Sequence, residues 1–335
     1  MKAYKLKFHS SFHIDLGTVV DGPSDTFIHS DTLYSSIISA ARKFYGDNIA
    51  TDFIKNGSII LSSAFPYYKK EYFIPKPLNF FPEITQYELI KEFKKIKFIS
   101  LEHFNHILNG LDYSNSEFFS DKKTAKKFIL NNCWRTIKNS DDEVIFLTNE
   151  VPHIVMDRIT NQTQIFYKSE VYFGKDAGLY FLAEVKEELQ SKFETILRFL
   201  GDEGIGADRT TGKGLFEIEI ILDFPLPTLT ESNYYLLLSL YSPTKDEFEN
   251  INPKESFYDF KIRGGWISNT TLNRKSLRMF VEGSVLSLKN KQRPIGMIHK
   301  TLEAKHYKDN IKYDVFRSGQ AIFLPFISGG INNDN

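Results

Sequence analysis

A single cysteine, Cys133, stands in a chain of 335 residues. That count excludes an internal disulfide framework and any zinc site built from several thiolates. A charge excess is also missing: 42 Lys and Arg balance 42 Asp and Glu. A protein that gripped nucleic acid through bulk charge would be clearly basic, so any such site must be local or shared with partner subunits. No apolar run approaches the length of a membrane span, and the opening MKAYKLKFHS holds no apolar signal core. The expectation is a cytoplasmic protein with no membrane association. Aromatic residues are plentiful, 30 Phe and 17 Tyr, and most of them belong to core. The length leaves room for two domains.

AYKLKFHS alternates Tyr4, Leu6 and Phe8 against Lys5 and Lys7, the pattern of a half-buried strand. TLYSSIISAARKFYG places Leu33, Ile37 and Phe44 on one helical face, with Ser30 or Asp31 as cap and Gly46 as stop. SIILSSAFPYY reads as a second strand closed by Pro66. Residues from about 80 to 150 read as an insertion, helical and partly basic. VPHIVMDRITNQTQIFYKSEVYF is a hairpin around Thr160 to Thr163. GLYFLAEV is a buried strand, EVKEELQSKFETILRFLG an amphipathic helix stopped by Gly201, and LFEIEIILDFP a further strand. Without the insertion the order is β-α-β-β-α-β, which is ferredoxin-like and is shared by the RNA-recognition motif. PLPTLTES reads as a linker, and the strands and short helix beyond it as a degenerate copy of the unit. The fold class expected is therefore α+β: two ferredoxin-like domains over 1–222 and 223–335, the first carrying the insertion and a hairpin at about 151–173.

Between the long helix and the strand after it lies GIGADRTTGKGLFEI. It is no P-loop: five residues rather than four separate Gly206 from Gly212, and Gly214 stands where a magnesium-binding hydroxyl belongs. The order is also wrong, because a P-loop leaves a strand and opens a helix. No dinucleotide fingerprint is present. Four glycines permit positive φ and a nest of backbone N–H groups, while Arg209, Lys213, Thr210 and Thr211 add charge and donors. These residues suit a phosphodiester chain; they equally suit a long turn whose glycines serve geometry alone.

This loop after a long amphipathic helix resembles the glycine-rich loop of the RAMP superfamily of CRISPR proteins. FIHSDTLYSSIISA, HIVMDRITNQT, FIPKPL, YDFKIRGGWI and FVEGSVL extend the likeness from Phe8 to Gly319. Together they resemble the family of fourth subunits of the Csm effector complex, the type III-A CRISPR ribonucleoprotein. The resemblance implies two RAMP domains and a non-catalytic RNA-binding subunit. Such a subunit caps the 5′ end of CRISPR RNA, holds its repeat-derived tag and docks on a large polymerase-like subunit. Its hairpin forms a thumb over the guide beside the adjacent backbone subunit. Neither cofactor nor metal is implied. Carried over to this chain, the RNA-binding set is His29, Ser30, Asp31, Arg158, Thr160, Arg209, Thr210, Thr211, Gly212, Lys213, Arg263, Gly264, Gly265, Trp266, Gly319 and Gln320. The N-terminus of the first helix would meet a phosphate and Trp266 would stack on a base.

Two other functions remain open on the residues alone. His29 with His13 could supply the base and acid of a metal-independent endoribonuclease that matures repeat RNA. A purely protein-binding scaffold would use the glycine loop as a turn. His103 and His106 have the spacing of metal ligands but no third ligand, and read as a solvated helix face. Lys122, Lys123, Lys126 and Lys127 also read as solvated.

Overall fold

The computed structural model describes residues 1–14, 24–82, 84, 86–111, 113, 116–140, 142–157, 159–160, 162–227, 232–267, 270, 272–306 and 313–326. The first strand, Lys2–Phe8, lies between Ala177–Val185 and Phe216–Ile221, and Phe65–Tyr68 flanks Ala177–Val185 on its far side. In chain order the four strands stand fourth, first, third, second and pair antiparallel, which is the ferredoxin order. The alternation in Lys2–Phe8 explains how the sheet is covered. Tyr4 and Leu6 are fully buried, and Tyr4 meets Phe193 of helix Glu187–Glu203 edge-on at 5.5 Å. Lys5 and Lys7 therefore project from the opposite face.

Several boundaries differ from the sequence pattern, each for a tertiary reason. Gly201 lies inside its helix, because a Cβ there would come within 2.2 Å of the Phe216 carbonyl; the helix stops instead at Gly204, φ 81°. The N-cap of helix Ser30–Tyr45 is His29, without a side-chain cap bond, whereas Gly46 does close it. SIILSSAFPYY makes two strands, Ile59–Leu61 and Phe65–Tyr68, and Pro66 falls near the start of the second rather than ending one.

The insertion extends the sheet. Glu71–Pro75, Phe98–Ser100, Cys133–Trp134 and Ile129–Leu130 continue it past Phe65–Tyr68. The run expected to be helical is broken into Tyr87–Lys95 and Leu101–Leu108 by the strand Phe98–Ser100. A local core forms on the fully buried Trp134, ringed by Phe80, Phe93 and Phe118. His103 belongs to that core and not to a solvated face. Its ring stacks on Trp134 at 3.8 Å, and burial presses its pKa down to about 4. Lys122, Lys123, Lys126 and Lys127 are exposed, as their charge implies.

In the second half, Ile251–Phe257, Val285–Leu288, Tyr234–Leu237 and Phe323–Phe326 form a four-stranded sheet. Their chain order is second, third, first, fourth, the same topology read from the other edge. Helix Lys245–Asn250, opened by a Thr244–Glu247 capping box, is the first crossover. The second crossover helix is replaced by the hairpin Ile298–Leu302 and Val315–Ser318. The two sheets share one apolar core, in which Leu236, Leu238, Ile322 and Leu324 are continuous with the N-terminal residues. Phe104 of the insertion, fully buried, stacks on Phe326 at 5.8 Å. Phe104→Ala should cost about 3–5 kcal/mol. It should appear as a lower denaturant midpoint at unchanged m-value.

Candidate nucleic-acid interface

Separate stretches of sequence meet at a buried joint between the two halves. The Ser30 N–H donates to Ser63 Oγ at 2.8 Å, and Ser30 Oγ accepts from the Leu240 N–H at 3.0 Å. His29 Nδ1 lies 2.8 Å from Glu282 Oε1, which also accepts from Ser63 Oγ. His29 Nε2 lies 2.8 Å from Lys261 Nζ and 3.3 Å from Asp25 Oδ2. Asp31 takes a fork from Arg263, Nε and Nη2 each at 3.0 Å, and Arg317 Nη1 stands 3.1 Å from its Oδ2. Arg263 Nη2 also donates to Thr32 Oγ1, and Arg317 Nη2 to the Gly264 carbonyl at 2.6 Å. Burial alone would push the Asp31 carboxyl up, but the two guanidinium groups hold it well below the usual carboxylate range.

The same joint takes in the remaining motifs. The Leu78 N–H of FIPKPL donates to the Gly283 carbonyl of FVEGSVL. Gly283 has φ 86°, and a Cβ there would sit 2.8 Å from the Lys76 carbonyl. Gly265 O accepts from the Arg274 N–H, Gly319 packs against Ser242, and Gln320 Nε2 donates to Asn56 Oδ1. The structure therefore brings His29, Ser30, Asp31 and Arg263 together inside the molecule, and Gly319 and Gln320 are likewise buried. The Ser30 N–H at the start of the helix is taken by Ser63. Trp266, next to the joint, is 55% exposed.

The glycine loop lies elsewhere, against the base of the thumb hairpin. A Cβ on Gly204, Gly206 or Gly214 would meet the carbonyls of Lys213, His13 or Ile205 at 2.4, 2.5 or 2.0 Å. These three glycines are required by the chain's own backbone. The N–H groups of Ile205, Ala207, Thr211, Gly212 and Gly214 are bonded within the chain. What faces outward is the short 3-10 turn Arg209–Thr211 and Gly212, φ 81° with open space around it. Thr210, Thr211 and Gly212 are exposed. Arg209 is half-buried, and among the described residues its guanidinium has no hydrogen bond or ion pair.

Two ion pairs tie the loop to the hairpin. Lys168 Nζ meets Asp208 at 2.9 Å, and Lys213 Nζ meets Glu170 Oε2 at 2.7 Å and Ser11 Oγ at 3.0 Å. Glu170 is buried, yet Lys213, Ser11 and Tyr172 hold its carboxyl below the usual range. Lys213 is thus engaged internally. Glu170, Glu282, Lys261 and Arg317 were not singled out from sequence; Glu282 had a local signal, a lone carboxylate in the apolar run FVEGSVL. The hairpin pairs Phe146–Met156 with Thr163–Phe173 in unbroken register. Thr160 is exposed at its far end, about 35 Å from the base at the usual strand rise. Arg158 lies outside the described residues.

Comparison with known proteins gives the class. The RAMP superfamily profile matches residues 5–217. The chain belongs to that superfamily. A second profile, the CRISPR Csm4 C-terminal domain, matches residues 230–326. The CRISPR system Cms protein Csm4 of Thermococcus onnurineus is 28% identical over 303 residues, covering 85% of this chain and 89% of that one. The protein of the same description from Methanocaldococcus jannaschii is 25% identical and covers 97% of both. The crystal structure of a Csm3–Csm4 subcomplex of the type III-A CRISPR-Cas interference complex contains a similar fold. Its TM-score is 0.65 at 24% identity, over 98% of this chain and 100% of that chain. The Csm1–Csm4 cassette in complex with cA4 gives 0.58 at 20% identity, over 97% of both. Within the superfamily this chain is similar to Csm4 proteins, both in its C-terminal profile and over most of its length.

The joint makes a specific demand on Asp31. Asp31→Asn keeps the shape but leaves two buried guanidinium groups short of a counter-charge, a loss of about 3–5 kcal/mol. The folded-state pKa is depressed, so the wild-type carboxylate contributes fully above about pH 4 and loses that contribution as pH falls. Denaturant titrations between pH 7 and pH 3 should show a steeper acid limb for wild type than for the variant.

Proposed function

We propose that the chain holds the 5′ repeat-derived tag of CRISPR RNA and bridges the large polymerase-like subunit to the adjacent backbone subunit. It does so in the cytoplasm and catalyses no reaction of its own. The observation that carries this reading is the Arg209–Gly212 tip. A guanidinium without an internal partner and the exposed Thr210 stand on a frame fixed by Lys168–Asp208 and Lys213–Glu170. A phosphate is the ligand that such a set fits, with charge-assisted bonds from Arg209 and a neutral one from Thr210, since the Thr211 hydroxyl already donates to the Asp208 carbonyl at 2.7 Å. Thr160, with Arg158, would touch the guide from the end of the thumb, and Trp266 would supply a ring on which a base can stack. His29, Ser30, Asp31, Arg263, Gly264, Gly265, Gly319 and Gln320 act as the frame between these surfaces. The bridging role follows the relatives, whose Csm4 chains occur in structures with Csm3 and with Csm1.

The nuclease reading has less support. A general base must reach the 2′-hydroxyl proton. His29 is buried with both ring nitrogens engaged, and His13 is buried with Nδ1 2.7 Å from the Ser169 carbonyl.

RNA–protein crosslinking with mass spectrometry on the assembled complex tests the proposal. Tag nucleotides should crosslink to the Arg209 loop, the Thr160 turn or Trp266. Arg209→Ala should weaken retention of the tag by on the order of ten-fold, the weight of one charge-assisted contact. Crosslinks confined to other subunits, with no effect of Arg209→Ala, would leave a protein-binding scaffold whose loop only turns.

A further inference from the structure

The lysines that the sheet pattern turns away from the core line a cleft. Lys5, Lys7, Lys69, Lys70 and Lys175 surround a space of about 600 Å³, with Phe8, Tyr67, Gly174, Ala177, Asp176 and Glu219 completing its lining. Five ammonium groups thus face two carboxylates, in a chain whose charges sum to zero. Two tight turns hold the outer lysines in place. The Lys69 N–H donates to the Asp176 carbonyl at 2.8 Å, which locks the Lys69–Lys70 turn beside the Lys175–Asp176 turn. Lys5 lies over the Tyr67 and Tyr72 rings at 4.8 and 5.2 Å, and Lys5 and Lys7 share Glu219. Lys69 pairs with Glu143. Lys70 and Lys175 are exposed, and among the described residues neither has a partner.

We propose that this cleft is a second binding site, separate from the glycine loop, for the phosphodiester backbone of a single-stranded nucleic acid. It reads no bases. In sheets of this topology, bases are read by stacking on exposed rings. Here the rings are occupied: Phe224 covers Tyr180 and Tyr72 at 5.1 and 4.8 Å, and Tyr67 is buried beneath Lys5. Positive charge without an open aromatic face gives a sequence-independent, salt-sensitive grip. An acidic protein segment is the weaker occupant. Protein interfaces centre on exposed apolar anchors and are poor in lysine, whereas this lining is lysine-rich and its large rings are covered.

The test uses the full chain carrying Lys70→Glu with Lys175→Glu, two exposed positions outside the core. A fluorescent 20-nucleotide oligouridylate is titrated across a salt series. The double variant should bind at least about ten-fold more weakly, and the slope of log affinity against log salt should shrink by about 1–2, the share of two single-strand phosphates. Its melting temperature should match wild type, and complexes assembled with it should retain guide RNA as wild type does. That last readout separates this site from the tag site, since Arg209→Ala should alter guide retention and leave the salt slope of the lysine cleft in place. Unchanged oligouridylate binding would overturn the proposal. Competition by polyglutamate as effective as that by RNA would make the cleft a protein dock instead. Guide loss equal to that of Arg209→Ala would merge the lysines with the tag site and remove the second site.

Discussion

The Asp31 carboxylate, clamped by Arg263 and Arg317, is the interaction on which the arrangement of the molecule depends. A charge so deeply buried is tolerated only with close counter-charges, and here the carboxylate comes from the first helix while both guanidinium groups come from the second half. Each half has its own ferredoxin-order sheet. The clamp makes their relative position a condition of stability. His29 with Glu282 and Lys261, and Leu78 with Gly283, repeat the condition at neighbouring points. The glycine loop belongs to one half and Trp266 to the other, so the span between these candidate contacts is set by this buried chemistry.

The loop divides labour in a way its composition hides. Gly204, Gly206 and Gly214 let the chain pass close to its own carbonyls, and the N–H groups of Ile205, Ala207 and Gly214 hold the turn. What the loop turns outward is side chains, Arg209 and Thr210 foremost, while the Thr211 hydroxyl closes the turn on the Asp208 carbonyl. The glycines build the platform and the residues between them are its surface.

Much of this was legible in the sequence. The alternation of Lys2–Phe8, the apolar stripe of Glu187–Glu203 and the hairpin arms are local patterns, and the two ferredoxin-like halves followed from their order. What escaped was set by distant contacts. Gly201 reads as a helix stop until the Phe216 carbonyl is placed against it. His103 reads as a solvated residue until Trp134, far along the chain, lies on its ring. HSD before a helix reads as a cap or a phosphate seat, because small polar residues at that position usually face solvent. Its burial depends on Arg263, 232 residues later, and no window of local pattern reaches that far. Among the candidate residues, residue type alone did not separate those that stay exposed, such as Thr210 and Trp266, from those buried in the joint, such as Asp31 and Arg263.

The thumb hairpin has a consequence for the life of the chain before assembly. Its two strands of eleven residues pair with one another and are buried only near their base, at Phe146 and at Ser169, Glu170 and Val171. Ile154, Val155, Met156, Ile159, Ile165 and Tyr167 are all exposed. A two-stranded ribbon is marginal in water by itself, and an apolar one with open edges is a template for unwanted pairing. The segment is therefore a liability in a solitary chain and becomes an asset once something covers it. That puts a premium on synthesis in step with the molecules that do so, and makes the hairpin a point at which supply and demand among subunits becomes a matter of solubility.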